Sequence, residues 1–260
     1  MPLAEKGNNW SIFHNPAGLA EINGTLFSAG GGSLYGFKWL PAYHLNGTIP
    51  IPIFGKTGIA LQQLETKYDG AVLSTEQTIS IAQGFDLQHD KNSRLSIGYT
   101  ANLIQWELGS SAGISGDGTD GLELGNVNAV TVDLGVLASL REKYRFGVFL
   151  KNINSGAFGK GMTRQVLPRR INAGITYMPI TGLSTSIVSE HLLGRDDLQI
   201  KGAIRYNLNP FLKIYVGAQS NHNRFGIGTT FTLNHQSISY GLLTHPVLPM
   251  THQFNIGISL

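Results

Sequence analysis

The chain has 260 residues, enough for one large β domain or two small ones, and a net charge of +3 that is scattered rather than clustered. That charge pattern excludes a basic nucleic-acid stripe, and the absence of cysteine excludes a disulfide framework and thiolate chemistry. Charged residues make up 13%, about half of the ~25% usual in soluble domains, while hydrophobic residues reach 42% and glycine numbers 33. No run of ~20 apolar residues offers a membrane helix. Such a mixture suits a chain with one face in lipid and the other in water.

The start, Met1 to Lys6, lacks the basic and apolar regions of a secretory leader, so a mature or trimmed chain is expected. The stretch Trp10 to Ala20 follows, the one place where a helix is conceivable. Asn15-Pro16 starts a turn, because proline fixes φ. In a free tail Trp10, Ile12, Phe13, Leu19 and Ala20 would all meet water, so burial is expected. Residues 1–23 are therefore read as a short plug or hatch, with Phe13, Asn15, Pro16 and Gly18 holding it inside a barrel formed by residues 24–260. Gly18 is expected to approach the glycine-rich stretch Gly30 to Gly32.

Fourteen strand candidates come next, near 24–36, 42–52, 57–67, 72–88, 94–108, 127–140, 145–152, 170–178, 183–191, 197–208, 212–219, 224–233, 237–244 and 251–260. Their signal is period-2 alternation. Val130, Val132, Leu134, Val136, Ala138 and Leu140 alternate with Thr131, Asp133, Gly135 and Ser139. Leu198, Ile200, Ile204 and Tyr206 are expected to face lipid, with Lys201, Arg205 and Asn207 in a polar lumen. At the end, Phe254, Ile256, Ile258 and Leu260 form an outward row that reads as an assembly signal. Pro50 and Pro52 fall in the second candidate, where missing donors suggest an early strand end or a local break in the wall.

Every second connection is tight, among them Phe54-Gly55-Lys56, Arg141-Glu142-Lys143 and Asn209-Pro210, whereas 109–126 and 153–169 are long. Bacterial outer-membrane barrels have an even strand number, short periplasmic turns and longer outer loops. The expected fold is therefore all-β, a 14-stranded antiparallel transmembrane β-barrel of a Gram-negative outer membrane, with both termini periplasmic. A soluble sandwich also alternates, but it needs a charged outer face. Here the polar positions are mostly Gly, Ser, Thr, Asn and Gln.

Chemistry is sparse. The histidines His14, His44, His89, His191, His222, His235, His245 and His252 form no HExxH or HxH pattern, and no GxSxG is present. Gly30-Gly31-Gly32 lacks the lysine and helix of a phosphate loop. Gly116 to Gly121 lacks the spacing of a calcium loop and reads as an outer loop. No catalytic residue, metal site or cofactor is expected.

Phe13-His14-Asn15-Pro16-Ala17-Gly18-Leu19-Ala20 just before the first of 14 strands resembles the FadL-like outer-membrane superfamily. That superfamily includes long-chain fatty-acid transporters and the PorV/PorQ proteins of Bacteroidota type IX secretion. The end of the chain, with Tyr240-Gly241, His245-Pro246 and Thr251-His252-Gln253-Phe254, is similar to PorV/PorQ proteins in particular. The resemblance implies a non-enzymatic barrel that serves protein export to the cell surface, with secretion proteins or cargo domains as partners beside outer-membrane lipid. The alternative it implies is a FadL-like channel that takes up hydrophobic small molecules through a lateral opening. A channel needs a continuous apolar pocket from the rim inward, whereas an accessory subunit needs an exposed rim surface and tolerates a filled lumen.

Overall fold

The computed structural model describes residues 3–5, 7–51, 55–69, 71–111, 113–116, 120–159, 161 and 164–260. Fourteen strands form the body: β1 (Leu26–Ser33), β2 (Pro41–Ile51), β3 (Gly55–Tyr68), β4 (Ala71–His89), β5 (Ser93–Ser110), β6 (Glu123–Leu140), β7 (Tyr144–Lys151), β8 (Arg170–Tyr177), β9 (Leu183–Leu192), β10 (Asp197–Asn207), β11 (Leu212–Gln219), β12 (Arg224–Leu233), β13 (Gln236–Leu243) and β14 (Thr251–Ser259). Each pairs antiparallel with its chain neighbours, and β1 closes on β14 from Leu26 opposite Ser259 to Ser33 opposite His252. The result is a closed antiparallel barrel, which leaves no sheet edge for lipid to meet. A two-stranded ribbon, Ala157–Phe158 with Gln165–Val166, sits in the β7–β8 connection.

Alternation decides which side chains face out. Along β6, Thr131 and Asp133 are buried, while Val130 and Leu134 are exposed. The outward sets Leu198, Ile200, Ile204 of β10 and Phe254, Ile256, Ile258 of β14 are likewise exposed. An apolar belt turned away from the molecule's own interior is the mark of a transmembrane barrel.

The wall is not of even height. Strands β7, β8, β11 and β13 have 8 residues each, whereas β4, β5 and β6 have 19, 18 and 18. The sequence explains where the tall strands leave lipid. On the outward face Leu45, Leu61, Ile79, Leu103 and Val130 form one cross-strand row from β2 to β6. The next row toward the long-loop end is Tyr43, Gln63, Gln77, Gln105 and Asn128, and above it stand Glu65, Thr75, Glu107 and Asn126. Amides and carboxylates cannot shed their water into hydrocarbon without a cost of several kcal/mol each. The row from Leu61 to Val130 therefore marks the upper limit of the lipid core. At ~3.3 Å per residue the remaining strand ends run roughly 23–26 Å, and with a tilt of ~35–45° they rise roughly 16–21 Å beyond it.

Above that limit the inner face changes in the opposite sense. Asn102 and Thr131 give way to Ile104, and then to Leu64, Trp106 and Val127 in one row with Glu76. The tall part of β3–β6 is thus a hood, polar on its lower outer rows, with an inward apolar strip of Ile104, Trp106 and Val127 beside the polar Gln62, Thr78, Glu76 and Ser74. The connections reflect this. On the end where the termini lie, the turns at 90–92, 141–143, 178–182, 208–211 and 234–235 are short, as the tight sequence turns imply; the corresponding expectation at Phe54 lies outside the described residues. On the other end, 111–122 and 152–169 are long, but 69–70, 193–196 and 220–223 are tight. Extra length went into strands on the tall side, not only into loops.

Candidate functional site in the barrel lumen

The lumen receives the N-terminal segment. Ser11–His14 makes one helical turn, and Pro16–Glu21 a 3-10 helix. Asn15 lies between them in extended backbone, the conformation that a following proline imposes. Its side-chain oxygen accepts from the Ala17 N–H, capping the 3-10 helix, while Pro16 supplies the first helical position. The Asn15 Nδ2 donates to the carbonyls of Leu3 and Val136, at 3.0 and 3.1 Å, tying the segment to itself and to β6. Pro16 to Glu21 are all buried.

The wall beneath is shaped for this segment. Gly84, Gly98 and Gly135 lie opposite one another in β4, β5 and β6 and face inward. A methyl group on Gly98 would stand 2.4 Å from the Pro16 carbonyl carbon, and one on Gly135 would stand 2.1 Å from Asn15 Oδ1. Gly84 meets Ala20 and Pro16 in the same way. This glycine row, not Gly30 to Gly32, receives the segment. Gly18 packs on Gly7 and Ser11 instead, because the 3-10 helix turns its α-carbon back toward the chain's own start. Gly30 and Gly32 lie against His44, the Phe254 carbonyl and the His252 carbonyl.

Three inward arginines complete the hold. Arg145 Nη1 contacts Glu21 Oε2 at 2.7 Å with both side chains nearly buried, and that carboxylate also accepts from the Gly7 N–H. Arg94 donates to the Ala20 carbonyl, and Arg205 pairs with Glu5 at 2.8 Å. Ile12, Leu19 and Ile22 pack on Ala60 and Ala82, with Phe13 alongside. Leu3 packs on Phe149 and Val188.

On the long-loop side of the segment lies a cavity of about 250 Å³. Its apolar lining is Leu3, Ile12, Phe13, Ile104, Phe149 and Val188; its polar lining includes Asn102, Asp133, Lys151, Arg170 and Glu190. Glu190 is shared by Arg170 and Lys201, at 3.2 and 2.7 Å. Asp133 accepts from Asn102 Nδ2 and from the Asn152 N–H. His14 also faces this cavity; burial pushes its imidazole down to about 3, with Lys151 and Lys201 adding to the effect. Ile104 joins the cavity to the hood, where Trp106 lies 6.1 Å from the Phe158 ring and donates its indole N–H to Ser74. A second cavity of about 300 Å³, toward the long-loop mouth, is lined by Trp10, His44, Gln62, Leu64 and Glu76, among others.

The remaining residues singled out in the sequence are dispersed. Lys201 and Arg205 face inward in their ion pairs, and Asn207 lies at the short-turn end of β10, exposed. Phe254, Ile256 and Ile258 face out beside β1, and Leu260 pairs its backbone with Thr25. Pro50 lies within β2, opposite Lys56 in a ladder with β3 that runs unbroken from Ala42 to Ile51; Pro52 lies outside the described residues. The strand does not end at Ile49. His222 and His245 stack at the rim, and His252 meets the Tyr240 hydroxyl. Glu5, Glu21, Arg94, Arg145 and the glycine row were not singled out in the sequence. Arg145 was findable, since it sits on the polar phase between Tyr144 and Phe146. Its partner was not, because it is 124 residues away.

No protein-family model matches the sequence, and no curated protein matches it. Solved structures share its fold. The monoaromatic hydrocarbon channel CymD superposes with a TM-score of 0.67 at 9% identity, over 100% of this chain and 95% of CymD. The toluene transporter TodX of Pseudomonas putida gives 0.61 at 12% identity, over 99% and 94%. The toluene transporter TbuX of Ralstonia pickettii gives 0.60 at 11% identity, over 96% and 92%. At such identities the likeness is one of fold.

Proposed function

We propose that the protein is an outer-membrane channel for hydrophobic small molecules in a Gram-negative bacterium, with both termini periplasmic and no catalytic role. The observation that carries this reading is the change of phase in β3–β6. It lines the hood with Leu64, Trp106 and Val127, and the apolar path continues through Ile104 to the cavity walled by Phe13, Phe149 and Val188. A hydrophobic solute landing at the rim has an apolar surface to follow inward. The fold of toluene and hydrocarbon channels supports the same reading. In it, the segment built on Phe13, Asn15, Pro16 and Gly18 is the hatch, the Pro50–Pro52 region is where a lateral exit would be sought, and the outward C-terminal row is the assembly signal.

The test is accumulation of radiolabelled toluene by Gram-negative cells that display the barrel. Accumulation above an empty-vector control is expected, and Ile104→Asp should abolish the gain by interrupting the path. A folded barrel that confers no gain would overturn the reading. A role as a PorV/PorQ-type accessory in export is the second reading, favoured by the terminal motifs around Asn15-Pro16 and His245-Pro246. It predicts co-purifying secretion proteins and no toluene gain.

A further inference from the structure

The half of the lumen away from the hood differs in charge. Strands β11–β14, β1 and β2 contain no aspartate or glutamate. They contribute two inward cations, Lys213 of β11 and Arg224 of β12, and among the described residues neither has a carboxylate within 4.0 Å. The neighbouring Arg205 is already paired with Glu5. Asp197 stands at the outer end of β10, where it accepts from Asn221 Nδ2.

This half is also open. Gly217 faces Gly226, and Gly228 faces Gly241, so each of two adjacent levels has a pair of neighbouring strands without an inward side chain, flanked by Leu243 at the first level and Tyr215 at the second. A methyl group on Gly226 would meet only Leu242 and Leu243, at 3.5 Å, and one on Gly241 would meet only the Ile227 carbonyl, at 3.9 Å. The N-terminal segment touches β1 and β2, where Leu26 packs on Ile12, Leu19 and Ile22 and Trp10 meets His44, but none of its described residues packs on the glycines of β11–β13. Above and below the glycines, Gln219, Arg224, Thr230, Thr232, Ser237 and Ser239 are inward, polar and partly exposed at successive levels. A water-accessible strip thus runs the height of the barrel.

We infer that this strip is a second passage through the barrel, distinct from the apolar path, and that it selects small hydrated anions. The physics is that of a charged pore. Two unneutralised cations in a narrow wall without carboxylates raise the local concentration of anions and repel cations. The glycine pairs and the inward Thr230, Thr232, Ser237 and Ser239 leave room for the anion to keep most of its water, so entry carries little desolvation cost. The inference does not depend on the hydrophobic-channel reading.

The test uses the full chain in planar bilayers, with potassium chloride at different concentrations on the two sides. The more dilute side is kept near 0.1 M, where charges act over about 10 Å. The reversal potential should show chloride more permeant than potassium. Lys213→Gln and Arg224→Gln should each lower that preference, and Lys213→Glu with Arg224→Glu should reverse its sign. Arg224→Lys, which keeps the charge, should leave the sign unchanged. Equal or cation-favouring permeability in the intact chain would overturn the inference. So would an unmoved reversal potential in the double variant, or no current from a chain shown to be folded.

Discussion

The two halves of the lumen use glycine in opposite ways. In β4–β6 the row Gly84, Gly98 and Gly135 is filled by backbone from Asn15 to Ala20, and the surroundings are buried and ion-paired. In β11–β13 the cluster Gly217, Gly226, Gly228 and Gly241 is bare, and its neighbours are half-exposed. The same residue type thus marks a docking site in one half and clearance in the other. What separates them is charge and reach. The segment carries Glu5 and Glu21, which find Arg205 and Arg145, and its apolar side chains find Ala60, Ala82, Phe149 and Val188. The far wall offers cations that, among the described residues, have no carboxylate to meet, and its inward apolar groups are confined to Tyr215 and Leu243.

The largest effect should come from removing the filled half altogether. Deletion of residues 1–20 should raise single-channel conductance clearly above that of the intact barrel. An unchanged conductance in a folded deletion would mean that side chains close the lumen and that the segment is no plug.

Next comes the buried pair. Glu21→Leu leaves Arg145 buried without its counter-ion, a defect that costs about 3–5 kcal/mol. Glu5→Leu frees a more exposed arginine and should cost about 1 kcal/mol or less. Hydrogen exchange of the amides of residues 11–21 would read both as lost protection, and equal losses would refute the ranking of the two anchors.

A third contrast probes the two glycine patches directly. Gly98→Ala forces a methyl into the Pro16 peptide and should lower segment protection by about 1–3 kcal/mol. Gly226→Ala has room for its methyl and should change stability by no more than about 0.5 kcal/mol. Similar effects at the two positions would dissolve the distinction between a filled and an open half.

The smallest expected effect is on pH. Docking depresses the His14 imidazole to about 3, below its ordinary 6.5. Between those values the undocked segment binds more protons than the docked one, so docking weakens as pH falls through 6.5 and is fully favoured only above it. From pH ~7 to ~6 the loss is at most about 0.7 kcal/mol, and less where cavity water reaches the ring. Exchange rates of the segment should rise accordingly, and His14→Gln should remove the dependence.

Much of this was legible in the chain itself. Alternation in Val130 to Leu140 and Leu198 to Asn207 is a local property, so strand number, closure and the facing of each side chain could be read from spacing alone. Asn15-Pro16 announced its turn because an amide cap and a fixed φ act within a few residues. The shift of the apolar phase from Leu103 to Ile104 and Trp106 also stands in the sequence, as does the lack of carboxylates after Asp197. Their meaning waited on register. Only closure of the barrel aligned Gln63, Gln77, Gln105 and Asn128 into one boundary, brought Arg145 to Glu21, and put Gly98 rather than Gly31 beneath Pro16. Those partners are up to 200 residues apart, as with Arg205 and Glu5, and no local preference selects among the arginines that face the lumen. Spacing determined which way each residue points; the three-dimensional packing of segment against wall decided what each one meets, because contacts across a lumen depend on strand register around the whole closed sheet.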